Sequence, residues 1–166
     1  MTVNRAIGCV LGVILLLAGA AGCTFFGNQG PPLENWEPQL SPDGSRLVYE
    51  SPVEESLELF VRDMATGETR RITENDVEDW GPAWSPDGGC VVFASSRDDN
   101  LDVYVIDLDT GVETRLTVHE KDDINPSWGS DNVIYFNSNR TEQWEIFTIE
   151  PDGQNLARIT TTAAAE

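Results

Sequence analysis

An all-β chain of three four-stranded antiparallel propeller blades is predicted by three features of the sequence. The first is a repeat: Pro38-Gln39-Leu40-Ser41-Pro42-Asp43-Gly44, Pro82-Ala83-Trp84-Ser85-Pro86-Asp87-Gly88 and Pro126-Ser127-Trp128-Gly129-Ser130-Asp131-Asn132 start 44 residues apart. The second is the alternation of turn residues with short apolar runs such as Val91-Val92-Phe93-Ala94 and Val103-Tyr104-Val105-Ile106, four strand-like runs to each copy. The third is the lack, after residue 30, of any window that keeps the three-and-four apolar spacing of a helix. A period of this length made of four strands marks a propeller blade and not a helical repeat.

Taken in order, the chain opens on a targeting segment. Arg5 supplies a positive start, residues 6–22 are almost wholly apolar, and Ala20-Ala21-Gly22 places small residues before Cys23. Residues 1–22 therefore read as a signal peptide, with Cys23 the lipidated new N-terminus; an uncleaved anchor and an ordinary signal peptide are the alternatives. In each case the body lies outside the cytoplasm, lipid-anchored in the cell envelope on the first reading. Residues 23–35, with Gly27, Asn28, Gly30, Pro31 and Pro32, suit an extended tether.

The three copies cover 36–79, 80–123 and 124–160, with a tail at 161–166. In each full hairpin, proline at the second turn position fixes φ and glycine accepts the positive φ that a tight reversal needs. Thr66-Gly67 and Thr110-Gly111 make the second tight turn. Arg71-Ile72-Thr73, Arg115-Leu116-Thr117 and Arg158-Ile159-Thr160 close the copies, the last after 43 residues because one is missing near Asn132. Strands apolar on both alternating faces fit a blade sandwiched between neighbours.

These residues resemble the TolB-like, WD40-like β-propeller repeat of bacterial envelope proteins: the Trp-Ser-Pro-Asp-Gly hairpin, Phe93-Ala94-Ser95-Ser96-Arg97, Asp102-Val103-Tyr104-Val105-Ile106-Asp107 and the closing Arg-Leu-Thr. The chain departs from the pattern where Leu40 replaces the tryptophan, Pro52-Val53 replaces Ser96-Arg97, and Gly129-Ser130-Asp131-Asn132 loses the usual turn. The resemblance implies a role as an interaction platform. It also implies the alternatives, since related repeats occur in polysaccharide lyases and in peptidase propellers.

Charge narrows the partners. With 29 acidic and 10 basic residues the formal net charge is −19, which argues against nucleic acid and against direct binding to anionic head groups. In an antiparallel meander the tight turns share one end of the blades and the longer loops the other. The longer loops hold fifteen acids against Arg97, Lys121 and Arg140. Glu78, Asp79, Asp122 and Asp123, with Glu34 and Asn35 at the equivalent positions, are expected to ring the channel mouth. Together with Trp80 and Trp144 they are the candidates for contacting a basic ligand or another envelope protein. Adaptation to high salt is the competing account of the acidic excess.

Other sites are weaker. Asp98, Asp99 and Asp102 offer hard oxygen ligands for calcium but lack the spacing and glycine of an EF-hand loop. Arg97 with Asp102 and Arg140 with Glu145 are expected to form structural ion pairs. Trp84 and Trp128 should be core, and Trp36 should join Trp80 at the mouth. His119 is the only histidine and has neither a triad partner nor a second metal ligand nearby, so no catalytic residue and no cofactor are assigned. Cys9 leaves with the signal and Cys23 carries lipid, so Cys90 has no disulfide partner. Function then reads as a non-catalytic envelope lipoprotein, a protein-interaction or ligand-binding module working through an acidic long-loop face. The alternatives are a polysaccharide-binding or polysaccharide-processing propeller and a fragment of a longer TolB-like or peptidase propeller. Three blades do not close a ring, so a head-to-tail homodimer or a shortened relative of a longer propeller is expected.

Overall fold

A computed structural model describes residues 36–161 of the 166-residue chain. Residues 1–35, which hold the expected signal peptide, Cys23, the expected tether, Glu34 and Asn35, and residues 162–166 lie outside the described residues.

The first blade comprises β1 (Trp36–Leu40), β2 (Arg46–Val53), β3 (Ser56–Asp63) and β4 (Thr69–Arg71). The second comprises β5 (Asp79–Trp84), β6 (Cys90–Ser95), β7 (Asp102–Asp107) and β8 (Glu113–Arg115). The third comprises β9 (Asp123–Trp128), β10 (Ile134–Ser138), β11 (Glu145–Ile149) and β12 (Ala157–Arg158). Each blade is a four-stranded antiparallel meander in sequence order, as the spacing predicts. The innermost strands are β1, β5 and β9; the outermost are only two or three residues long, which leaves little exposed edge.

The period of two along each strand sorts side chains between neighbours. In blade 2, Val91, Phe93, Tyr104 and Ile106 face blade 1 and meet Val48, Leu59 and Val61. Val92, Val103, Val105 and Leu116 face blade 3 and meet Ile134, Phe136, Phe147 and Ile149. Each blade thus has a leading face toward its predecessor and a trailing face toward its successor. Trp84 is buried at the first interface, and Trp128, half-buried, packs on the second, so both tryptophans are core as expected.

One feature had no sequence expectation. Every innermost strand carries a bulge, and at the same register Glu37, Gly81 and Asn125 adopt positive φ (46°, 64° and 51°) just before Pro38, Pro82 and Pro126. At Gly81 the amide is turned out of the ladder and donates to Glu50 Oε1 of the preceding blade at 2.6 Å. A Cβ there would meet the Pro126 ring at 3.7 Å, so β5 and β9 run close together at this point.

Candidate functional site

The meander places the turn at Glu54–Glu55, the links 72–78 and 116–122 and the loops 96–101 and 139–144 at one end of the blades. The short turns 41–45, 64–68, 85–89 and 108–112 lie at the other. The predicted segregation of loops therefore holds, and the acids divide with it.

At the long-loop end five carboxylates have gone inside. Glu58, near the start of β3, and Asp102 and Glu145, which open β7 and β11, form a repeated cluster with the closing Arg-x-Thr. Arg71 Nη2 lies 2.7 Å from Glu58, Arg115 Nη2 2.6 Å from Asp102 and Arg158 Nη2 2.8 Å from Glu145. Thr73, Thr117 and Thr160 donate to the same carboxylates and accept the amides of Leu59, Val103 and Ile146, each at 2.9 Å. Each cluster pins the short outermost strand to the third. Burial pushes the Asp102 carboxyl up from its ordinary value, against the pull of Arg115 and Thr117.

The other two are Asp79 and Asp123, at the start of the innermost strands. Both are fully buried, where free acids at the mouth were expected. Arg97 chelates Asp79 at 3.0 and 3.1 Å, and Arg140 chelates Asp123 at 2.7 and 2.9 Å. Asn75 Nδ2 also donates to Asp79 at 2.7 Å. The sequence spacing pairs these arginines with Asp102 and Glu145; in the structure they reach Asp79 and Asp123 instead. The guanidinium of Arg97 lies 4.5 Å from the Tyr104 ring centroid and that of Arg140 4.8 Å from the Phe147 ring, so stacking on the blade turns both inward to the first strand. Arg97 also pairs with Glu113. Blade 1 has Val53 in this place and no such clasp from its second-to-third turn.

What stays exposed is nonetheless acidic. Glu54, Glu55, Glu74, Asp76, Glu78, Asp99, Glu120 and Glu142 are exposed, without an ion pair, and Asp122 is half-exposed with Oδ1 accepting the Leu101 amide at 3.2 Å. Among the described residues of these loops Lys121 is the base left outside an ion pair. A cleft of about 700 Å³ opens beside blade 1, lined by Val53, Glu54, Glu55, Ser56, Arg71, Glu74, Asn75 and Asp76. Of the aromatic candidates, Trp144 is 48% exposed, Trp36 41% exposed and Trp80 half-buried. Of the candidates named from the sequence, Asp79 and Asp123 are buried on arginines, while Glu78, Asp122, Trp80 and Trp144 keep accessible surface, and the acids of the cleft lie at the same end.

The calcium candidates do not converge. Asp102 is committed to Arg115 and Thr117; Asp98 accepts the Tyr104 hydroxyl and lies 3.3 Å from Arg115; Asp99 stands apart in solvent. Among the described residues no group of three or more His, Cys, Asp or Glu could hold a metal ion. His119 Nδ1 accepts the Lys121 amide at 3.1 Å in its own link. Cys90 is half-buried, and burial with Asp107 and Asp87 nearby pushes its thiol up, away from the reactive thiolate.

Three stacked antiparallel four-stranded sheets, with the innermost strands side by side, define part of a β-propeller. The family model of the TolB beta propeller domain matches residues 34–166, and the chain belongs to that family. Among solved structures it is similar to a putative TolB from Agrobacterium tumefaciens, at 36% identity over 75% of this chain and 45% of that one, with a TM-score of 0.70. It is similar to TolB from Acinetobacter baumannii at 23% identity over 78% of this chain and 33% of that one (TM-score 0.68). An oligogalacturonate lyase in complex with manganese, at 16% identity over 72% of this chain and 37% of that one (TM-score 0.59), shares the fold alone. The chain spans less than half the length of each of these structures. No curated protein matches it.

Proposed function

We propose that this chain is a non-catalytic propeller module of the cell envelope, lipid-anchored through Cys23, that docks a basic segment of another envelope protein on its long-loop end. The observation that carries this reading is the division of the acids. Five buried carboxylates are neutralised by Arg71, Arg97, Arg115, Arg140 and Arg158. Most of the exposed ones take no ion pair, and among the described residues of these loops Lys121 is the base outside an ion pair. Carboxylates a few ångströms apart repel by about 1 kcal/mol per pair even in bulk water, so an incoming cationic chain relieves a standing repulsion. The cleft beside blade 1 provides concavity for an extended segment, with Glu54, Glu55, Glu74 and Asp76 on its walls.

The reading is tested by titrating a lysine- and arginine-rich peptide onto the protein at low and high ionic strength. Binding that weakens with salt, and that falls at least about tenfold in the Glu54→Gln/Glu55→Gln/Glu74→Gln/Asp76→Asn variant, is expected. Equal binding by the two proteins would move the docking surface elsewhere. Affinity capture from envelope extract, with and without calcium, then finds the natural partner; capture that requires calcium would point to a metal-dependent site instead.

A further inference from the structure

Each blade carries a stacked aromatic pair on its leading face, at the same place in the repeat. Tyr49 and Phe60 in blade 1, Phe93 and Tyr104 in blade 2, and Phe136 and Phe147 in blade 3 have ring centroids 5.8, 5.9 and 6.0 Å apart. Two of the three pairs are covered by a guanidinium. Arg97 lies 5.6 Å from the Phe93 centroid and 4.5 Å from that of Tyr104; Arg140 lies 5.7 and 4.8 Å from those of Phe136 and Phe147. Both arginines stand two residues past the end of their second strand, and each then reaches a buried aspartate.

Blade 1 has the rings without the arginine. Val53 stands 44 residues before Arg97, and the pairing of β2 with β3 runs on to Val53 and Ser56, where in blade 2 it stops at Ser95 and Asp102. Among the described residues no guanidinium lies over Tyr49 and Phe60. The position equivalent to Asp79 is Asn35 in the sequence, so the inner carboxylate has changed together with its cation. Carboxylates are instead supplied from outside: Glu54 and Glu55 on the turn, and Glu74 and Asp76 on the link, line the cleft of about 700 Å³ beside Val53.

Two further features suit this place to a guanidinium brought by a partner. Arg71, cross-strand from Phe60, also borders the cleft, but it is held by Glu58 at 2.7 Å. Blade 2 shows that a second guanidinium fits beside such a residue, since Arg97 takes the Tyr104 ring while Arg115, the counterpart of Arg71, is held by Asp98 and Asp102. Access does not depend on what packs against blade 1. Arg97 keeps 23% of its side chain exposed although blade 1 covers its sheet, so the place opens at the long-loop end even inside an interface.

We infer that an arginine side chain of the docked segment occupies this place, stacking on Tyr49 and Phe60 and pairing with the carboxylates of the cleft, as Arg97 and Arg140 do within their own blades. The inference rests on the docking reading above and adds what the segment must carry. Guanidinium is selected over ammonium because its planar, weakly hydrated face stacks on a ring while its edge N–H groups chelate a carboxylate.

Titration of the full chain, in mild detergent, with oligo-arginine and with oligo-lysine of equal length tests it. The wild type is expected to bind the arginine peptide about tenfold more tightly. Val53→Arg supplies a guanidinium from the chain itself, at the position from which Arg97 and Arg140 reach theirs, and should cut that preference to less than about threefold. Phe60→Leu, at a half-buried position outside both internal cores, removes a ring without changing charge. It should cut the preference equally and leave lysine-peptide binding within about twofold of the wild type. Melting curves check that both variants keep the fold, and Val53→Arg decides the matter should Phe60→Leu unfold. Equal affinities for the two peptides, or a preference that persists in Val53→Arg, would overturn the inference and leave the docking of basic segments standing; a chain that binds neither peptide would remove both.

Discussion

The two ends of the blades use the same side chain for opposite purposes. At the tight-turn end Asp43, Asp63, Asp87 and Asp107 are exposed or nearly so, yet each is spent on its own turn. Asp87 Oδ1 accepts from Ser85 Oγ at 2.6 Å and from the Gly89 amide at 2.9 Å, and Asp107 accepts the amides of Asp109 and Thr110 at 3.1 and 2.8 Å. These donors hold all four carboxyls below their ordinary range. At the long-loop end five carboxylates are buried on an arginine and most of the others are bare in solvent. Aspartate in a solvated turn is stabilised as an anion by its own backbone, whereas a buried one needs a counter-charge, and one with neither is left to attract a partner.

The sharpest way to break this contrast is to remove a buried carboxylate. Asp102→Ala takes from Arg115 its buried counter-charge, leaving it Asp98 and the Thr117 carbonyl, and leaves Thr117 Oγ without its acceptor between β7 and the short β8, and should destabilise by about 2–3 kcal/mol. Thermal or denaturant unfolding of the variant checks it, and a loss as small as a surface mutation's would mean the cluster is ornamental. Asp87→Ala at the opposite end removes only turn hydrogen bonds in contact with water, so its melting point should fall by a few degrees.

How much of this could be read in advance follows from what repeats. The 44-residue echo carries strand number, order and the end at which each loop falls, because each depends only on spacing. It carries Trp84 and Trp128 into the interfaces for the same reason. Partners of charged residues were not legible: Arg97 is near Asp102 in sequence, but its reach to Asp79 depends on Tyr104 and Phe93 offering their ring faces. The Arg-x-Thr motif is visible as a boundary, while its carboxylate, thirteen residues earlier among the first, turn-side residues of the third strand, emerges only once β3, β7 and β11 pair with their outer neighbours. The bulge leaves a mark in the sequence, since Glu37, Gly81 and Asn125 all precede proline at the same register, and two of the three are residues that tolerate positive φ.

Acid titration separates the two ends by sign. Burial raises the Glu50 carboxyl above 4.5, with the Gly81 amide opposing, so the folded state binds this proton more tightly than the unfolded chain. Its contribution to stability is therefore greatest below 4.5 and declines as pH rises through the folded value. The turn aspartates behave in the opposite sense: their contribution is present above 3.8 and is lost as pH falls through their depressed folded values. Unfolding free energy should thus drop steeply only below about pH 4. Glu50→Gln, which keeps an acceptor for Gly81, should flatten the gentler slope above 4.5 and leave the acid limb unchanged. An acid limb that moved with Glu50→Gln would place the controlling groups in the interface and not in the turns.

The smallest effect on stability is expected where the effect on binding is largest. Glu74 and Asp76 are exposed on the link between β4 and β5, take no ion pair, and border the cleft. Converting both to amides removes mutual repulsion and disturbs no hydrogen bond, so unfolding free energy should stay within about 0.5 kcal/mol of the wild type or rise slightly. The same change takes two charges from the docking end, so the salt dependence of basic-peptide binding should become shallower. Calorimetric titration at several salt concentrations, run beside a melting curve, measures both quantities on one sample. If stability dropped while the salt dependence stayed as steep, these acids would belong with the buried ones as part of the scaffold, and the division between the two kinds of carboxylate would have to be redrawn.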